Sequence, residues 1–169
     1  MSRRLAYVLR HDPASAGVAL DSDGWADVDD IVAGVPGLTR ELLERIVATD
    51  GKRRYTLDGD RVRAAQGHSA GVADAMHRVP VVPPPRLYHG TTASSVEEIL
   101  AHGLLPGSRS HVHLSADRDT AVRVGGRRGT PVVLEVGAAA AHAAGTRFFL
   151  ADNGVWLAED GVAARFLAR

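Results

Sequence analysis

Residues 79–86 read Val-Pro-Val-Val-Pro-Pro-Pro-Arg. The prolines at 80, 83, 84 and 85 forbid a helix, because each lacks a backbone N–H and holds φ at roughly −65°. Extended, polyproline-like geometry is what remains, and the stretch reads as a short, semi-rigid linker. It divides a chain of 169 residues into one lobe over residues 1–78 and another over residues 87–169. Each lobe is long enough for a modest core.

Working outward toward the N-terminus, Tyr55 and Leu57 alternate with Arg54 and Thr56, Asp58-Gly59-Asp60 supplies a turn, and Val62 alternates with Arg61 and Arg63. That is the pattern of a β-hairpin with a basic outer face. Three helices precede it. Leu5, Val8 and Leu9 give the first an apolar stripe. Asp27 is placed to cap a second carrying Val28, Ile31 and Val32. Thr39 is placed to cap a third with Leu42, Leu43, Ile46 and Val47 on one face and Glu41 in its first turn. Helices followed by a basic hairpin predict a winged-helix-like module. The same order also suits a small α+β domain with no ligand.

Outward toward the C-terminus, the pattern is rich in strands. Arg86 to His89 starts one, His111 to Ser115 alternates, Thr130 to Val136 is a buried run, and Val155 to Leu157 is short. Ser95-Val96-Glu97-Glu98 reads as a capping box for a helix through about Ala101 that stops at Gly103, and Thr120 to Val124 reads as another helix. The fold class is therefore α+β.

Composition narrows the function. The chain is 45% hydrophobic, which predicts a globular fold. It has no cysteine, which excludes disulfides and thiolate metal sites. No apolar run approaches the roughly 18 residues that cross a bilayer, and the basic start has too short an apolar stretch for a secretory signal. A cytoplasmic protein without a membrane partner is expected. Twenty basic residues balance twenty acidic ones, so any nucleic-acid contact must be local. Lys52 is the sole lysine, so arginine position, not arginine count, carries information.

Five stretches could carry chemistry. Leu9-Arg10-His11 ends an amphipathic helix with a planar cation and a titratable imidazole, a pair suited to phosphate or, equally, to a helix C-terminus. In Arg61-Val62-Arg63-Ala64-Ala65-Gln66-Gly67-His68-Ser69, both arginines point away from the core and a donor-rich run follows; a solvated wing would look the same. Tyr88-His89-Gly90-Thr91 places an imidazole, a bare backbone and a hydroxyl together, and the glycine would let a flat ring such as nicotinamide approach the main chain. His111, His113 and Ser115 share one face of a strand. Two histidines at that spacing fit zinc only with further ligands, of which His89 is the sole nearby candidate, so a polar wall lining a ligand cleft is expected and no metal. Val124-Gly125-Gly126-Arg127-Arg128-Gly129 is a glycine-rich loop or an ordinary surface turn.

LRHDP, the Gly24-Trp25 pair, RAAQGHS, LYHGT, HGLLP, HVHLS, VGGRRG-PVVLEV and NGVWL follow one another from about Leu5 to Leu157. In that order they resemble the tRNA 2′-phosphotransferase family. The resemblance implies an N-terminal winged-helix-like RNA lobe and a C-terminal ADP-ribosyltransferase-like lobe that binds NAD. It implies an enzyme that moves an internal RNA 2′-phosphate, in a tRNA-like substrate, to NAD through a 2′-phospho-ADP-ribosylated RNA. The products are nicotinamide, 2′-OH RNA and ADP-ribose 1″,2″-cyclic phosphate, and tRNA splicing is the family's precedent. The family's catalytic set maps onto Arg10, His11, Arg63 and Arg127, with Arg128 adjacent to the last. NAD contacts map onto His89, Gly90, Thr91, Ser94, Gly103, Leu104, His113 and Ser115. RNA contacts are placed at Lys52, Arg54, Gln66 and His68. Lys52-Arg53-Arg54-Tyr55 fits the family's basic-aromatic strand, whereas Ala65 stands where a polar residue is common.

The chemistry agrees with that mapping. ADP-ribosyltransferases acting on neutral nucleophiles generally place a glutamate near the stretch that here reads Asn153-Gly154-Val155-Trp156, and the next acid downstream is Glu159. A phosphate nucleophile is already anionic and needs no base, but its charge must be held. Two other readings stay open: ADP-ribosylation that caps a terminal phosphate of RNA or DNA, and a non-catalytic winged-helix binding protein. A monomer is the default expectation.

Overall fold

The stripe of Leu5, Val8 and Leu9 winds Ser2–Arg10 into helix α1 and is buried along its length in the computed structural model, which describes residues 1–73, 78–127 and 129–169. Asp12 then caps a 3-10 turn, Pro13–Ala16, by accepting from the Ser15 amide at 3.1 Å. Asp27 caps α2 (Val28–Gly34) by accepting from the amides of Asp29 and Asp30. Thr39 caps α3 (Arg40–Thr49) by accepting from the Leu42 amide. Both expected caps are present, and each satisfies first-turn donors that have no partner inside the helix.

The hairpin is also present, as β2 (Tyr55–Asp58) and β3 (Arg61–Ala64). A further strand, β1 (Trp25–Asp27), pairs antiparallel with β3, so the sheet order is β1-β3-β2. Its three residues are too few to show alternation in the sequence. Fully buried Leu5, Leu9, Ile31, Val35, Leu43 and Val62 form the core beneath this sheet and α1–α3. A short helix, α4 (Ala70–Ala73), follows.

Downstream, β4 (Leu87–Thr92) runs directly into α5 (Ala93–His102). The capping box at Ser95 is not formed. The helix starts at Ala93 with Thr92 as its N-cap, and the Thr92 and Ser94 hydroxyls lie 3.0 Å apart, bonded to each other. The strand's own end sets the helix start, three residues before the box would begin it. Then come β5 (His111–Leu114), α6 (Arg118–Gly125, capped by Asp117), β6 (Pro131–Val136), α7 (Ala138–Ala143), β7 (Phe148–Leu150), β8 (Trp156–Glu159) and β9 (Leu167–Ala168). The alanine-rich α7, with His142 its one other residue, and the two- and three-residue strands carry no periodicity to read.

These strands form two antiparallel sheets, ordered β4-β6-β9 and β5-β8-β7. Among the described residues one backbone bridge joins the sheets, Tyr88–Ser115, whose amides each donate to the other's carbonyl at 2.9 and 2.8 Å. Leu87, Leu114, Val136, Phe148 and Trp156 build the core around them. Helices segregated from small antiparallel sheets make the chain α+β.

By internal contacts the chain forms two compact units, Met1–Arg78 and Val79–Arg169. The Pro-rich residues fall within the second. Val81 N–H donates to Phe148 O at 2.8 Å, Pro83 is buried, and Pro85 O accepts from the Ala139 amide at 3.3 Å. No helix among the described residues is long and apolar enough to cross a membrane.

Candidate active site

In the first unit, two motifs far apart in sequence meet at the C-terminal end of α1. After β3 the chain returns to that end, and Ser69 caps it: its amide and its hydroxyl both donate to Arg10 O, at 3.0 and 3.3 Å. Gly67, at φ +89°, runs beside the Arg10 side chain; a Cβ there would sit 3.5 Å from Nη1. His11 is exposed at the helix end. The Leu-Arg-His and Gln-Gly-His-Ser motifs therefore form one structural feature.

Arg63 is held from a third direction. It pairs across the sheet with Trp25, and its guanidinium lies 4.4 Å from the centre of the indole ring. Its Nη1 donates to Asp23 O at 3.3 Å. Arg61 lies over the same ring at 5.0 Å. An arginine pinned by a ring and a carbonyl has less rotamer freedom to lose on gripping an anion.

The residues placed at the RNA surface fare differently. Lys52 is exposed and Gln66 half-buried. Arg54 donates from Nε and Nη2 to Asp50 Oδ1, at 3.0 and 2.7 Å. The Asp50 side chain is 4% exposed, and the Arg54 hydrogen bonds hold its carboxyl below the usual range. Arg54 thus braces its loop with much of its charge offset. His68 is 1% exposed, with Nδ1 3.2 Å from Arg78 Nη2. A guanidinium can only donate, so this nitrogen accepts. A ring so deeply buried has no surface for RNA; it holds Arg78 instead.

In the second unit, the geometry centres on Gly90. Its Cα is not bare for a ligand's sake: a Cβ would lie 1.8 Å from Ala121 O and 2.8 Å from the Gly125 amide. Gly125 is matched, since a Cβ there would lie 2.8 Å from Thr91 O. The two glycines let α6 press its backbone onto β4. The sequence suggested glycine here for ligand approach, and close packing of α6 also requires it.

The backbone of Gly90 faces elsewhere. Along an antiparallel strand, N–H and C=O groups point to alternate sides. Tyr88 spends both on Ser115, so Gly90, two residues on, points both toward the same β5 side, where no further bridge forms. Opposite, the His113 carbonyl is met by His89 Nδ1 at 3.2 Å. That carbonyl can only accept, so His89 carries its proton on Nδ1 and leaves Nε2 as an acceptor. Burial pushes the His89 imidazole below its ordinary value, and the bond to His113 O offsets this only in part. A neutral ring thus lies beside a backbone N–H and C=O that make no strand bridge among the described residues.

The remaining candidates scatter around this edge. Thr91 and Ser115 are half-buried, and Ser94 is exposed. His113 Nδ1 lies 3.1 Å from His111 O and 3.4 Å from Arg109 Nη1; it cannot donate and accept at once, and the shorter contact makes it the donor. His111, 8% exposed, bonds Ser110 Oγ at 2.6 Å and stacks edge-on to Phe149. Leu104 is 3% exposed and belongs to the core, and the space beside Gly103 is filled by Val162 O, 2.5 Å from a Cβ built there. Neither residue offers a side chain to a ligand. Among the described residues no group of three His, Cys, Asp or Glu could hold a metal ion.

Arg127 is exposed just beyond α6, with no ion pair or side-chain hydrogen bond among the described residues. Arg128, the adjacent alternative, lies outside them. Glu159 closes β8 in an ion pair with Arg147. Asp152, immediately upstream of Asn153, is exposed in the turn between β7 and β8. The sequence reading also missed Trp25 and Asp23 as the support of Arg63, Asp50 as the partner of Arg54, and Arg78 as the partner of His68. Only the Gly-Trp pair carried a signal in the sequence, and it served as a marker without a role.

Comparison with known proteins meets this geometry. The family described as RNA 2'-phosphotransferase, Tpt1 / KptA family, matches residues 1–160. A probable RNA 2'-phosphotransferase of Agrobacterium fabrum is 54% identical over 165 residues, covering 94% of this chain and 87% of the relative. One of Burkholderia lata is 50% identical over 174 residues, covering 99% of this chain and 88% of the relative. One of Streptomyces coelicolor is 49% identical over 173 residues, covering 99% and 92%. Similarity of that depth over nearly the whole length places this chain in the RNA 2'-phosphotransferase, Tpt1 / KptA family.

Proposed function

We propose that the protein is an RNA 2′-phosphotransferase that consumes NAD and takes an internal 2′-phosphate from RNA, tRNA-like by family precedent. The observation that carries the NAD part is the Gly90 edge. Its N–H and C=O point to a side where no strand pairs with them among the described residues, and a carboxamide offers the complementary acceptor and donor. His89 fits beside it: neutral, half-buried, with Nε2 free to accept from a ribose hydroxyl. NAD supplies a ribose carbon that nicotinamide can leave and a neighbouring hydroxyl that can receive the phosphate.

The chain's own residues handle charge. Arg63, pinned on Trp25, and Arg10, at a helix end capped by Ser69, offer guanidiniums to a phosphate. Fixed cations stabilise a developing phosphate charge without reorganising at the moment of reaction. His11, exposed beside Arg10, is placed to hold or pass a proton at a phosphate oxygen. Arg127 is the fourth cation of the set. An anionic nucleophile needs no general base, which agrees with Glu159 being engaged by Arg147. The proposed products are nicotinamide, RNA with a free 2′-hydroxyl and ADP-ribose 1″,2″-cyclic phosphate. The second unit is assigned the ADP-ribosyltransferase-like role and the first the winged-helix-like one.

The test is to incubate the protein with NAD and a 2′-phosphorylated oligonucleotide, with chelator and no added metal. Nicotinamide, cyclic phosphate and 2′-OH RNA should all appear. Nicotinamide with ADP-ribose retained on the RNA would indicate a capping enzyme, and no nicotinamide a binding protein.

A further inference from the structure

Helix α1 presents a second face to solvent. Leu5, Val8 and Leu9 fill the core, and the opposite face is Arg3, Arg4, Tyr7 and His11. Residues three and four apart share a helix face, so these side chains form one row. Tyr7 is 53% exposed, unusually open for so large a ring, and no hydrogen bond reaches its hydroxyl among the described residues. Its ring lies 5.8 Å from the His11 ring, tilted by 49°. Arg3 and Arg4, a turn before it, are exposed and make no ion pair among the described residues. The helix contains no acidic residue.

We propose that Tyr7, with Arg3 and Arg4 behind it, is a stacking platform for a base of the RNA next to the 2′-phosphate held at Arg10 and His11. The proposal rests on the phosphotransferase reading and extends it from the phosphate to the nucleotide around it. Exposed aromatics between cations are how proteins hold unpaired bases: the ring takes the base's π-face and the cations take the backbone. The occupant follows from charge and continuity. A cationic row without acids suits a polyanion, and its last member is a proposed catalytic residue. The contact is tolerant of sequence, because every base has a face to stack.

The test uses 2′-phosphorylated oligonucleotides that carry a natural base, or an abasic site, at the phosphorylated nucleotide or at either neighbour. Steady-state constants are measured for the wild type, Tyr7→Phe and Tyr7→Leu. On natural RNA, Tyr7→Leu should raise the KM for RNA about tenfold while the KM for NAD stays put, and Tyr7→Phe should resemble the wild type. On one of the abasic RNAs the wild type and Tyr7→Leu should become equal. If the Tyr7→Leu penalty is the same on every RNA, or falls on kcat with KM unchanged, Tyr7 merely braces the His11 ring and the platform is excluded. If the wild type itself fails to release 2′-OH RNA from the natural oligonucleotide, the phosphotransferase reading fails, and this one with it.

Discussion

The two units build their candidate sites from opposite materials. The first arranges side chains: Arg10 beside Gly67, Arg63 on Trp25, and Arg54 on Asp50. The second offers main chain, namely the N–H and C=O of Gly90, beyond the Tyr88–Ser115 bridge and without a strand partner among the described residues, with the helix behind pressed so close that no Cβ fits. Side-chain sites tolerate graded loss, because each group can be removed without moving the backbone. A backbone site is hostage to the packing that positions it, so substitution there first threatens the fold.

A matched pair of glycine substitutions tests this contrast, with the largest expected effect. Gly90→Ala forces a methyl to within 1.8 Å of Ala121 O, and α6 must shift. It should cost about 3 kcal/mol or more, read by chemical denaturation, with near-complete loss of soluble folded protein at elevated temperature. Gly67→Ala meets only the Arg10 guanidinium at an ordinary distance and suffers chiefly from its positive φ. That should cost about 1–2 kcal/mol. Equal losses would erase the distinction between the units.

Among the arginines, Arg127→Ala should lower formation of 2′-OH RNA roughly a hundredfold, on the order of 3 kcal/mol of transition-state stabilisation. Nicotinamide release should fall less, because phosphate charge builds most when the ribose hydroxyl attacks it. Rapid quenching of labelled RNA with parallel nicotinamide measurement decides this. If both signals fall together, Arg127 has no special part in the second step.

Trp25 sharpens the side-chain half of the contrast. Trp25→Leu leaves Arg63 in place but removes the ring beneath it, so turnover should fall roughly five- to tenfold, with Trp25→Tyr restoring most of it. Unchanged kinetics in Trp25→Leu would mean that the stacking does not prepare Arg63.

The smallest effect concerns pH. Burial holds the folded His89 imidazole below its ordinary value near 6.5. Above that value the ring is neutral in both folded and unfolded chains and adds no pH dependence. As pH falls through it, the unfolded chain takes up the proton first, so stability drops until the folded ring also protonates. The wild type should therefore lose more Tm between pH 7.5 and 5.5 than His89→Gln does. An equal or larger loss in the variant would contradict a buried, neutral His89.

Much of this was legible in the sequence. The caps at Asp27 and Thr39, the hairpin around Gly59 and the α+β class follow from local rules, because caps, turns and alternation are set by near neighbours in the chain. The order of the motifs carried the family. Misreadings arose where tertiary context overrode a local signal. Ser95 looks like an N-cap until β4 is seen to run straight into α5, and His68 looks like a surface donor until it is found beside Arg78.

What the sequence determined by itself was the inventory: which stretches are amphipathic, where the second and third helices are capped, and which arginines, histidines and glycines could serve a phosphate and a dinucleotide. Only the tertiary structure decided what each does. It set Trp25 and the Asp23 carbonyl against Arg63, spent Arg54 on Asp50, and gave Gly90 to helix packing while turning its N–H and C=O to an open edge. The reason is physical. Local conformation depends on a few adjacent residues, whereas strand-edge pairing, burial and guanidinium partners join groups tens of residues apart, and sequence spacing holds no record of which of them meet.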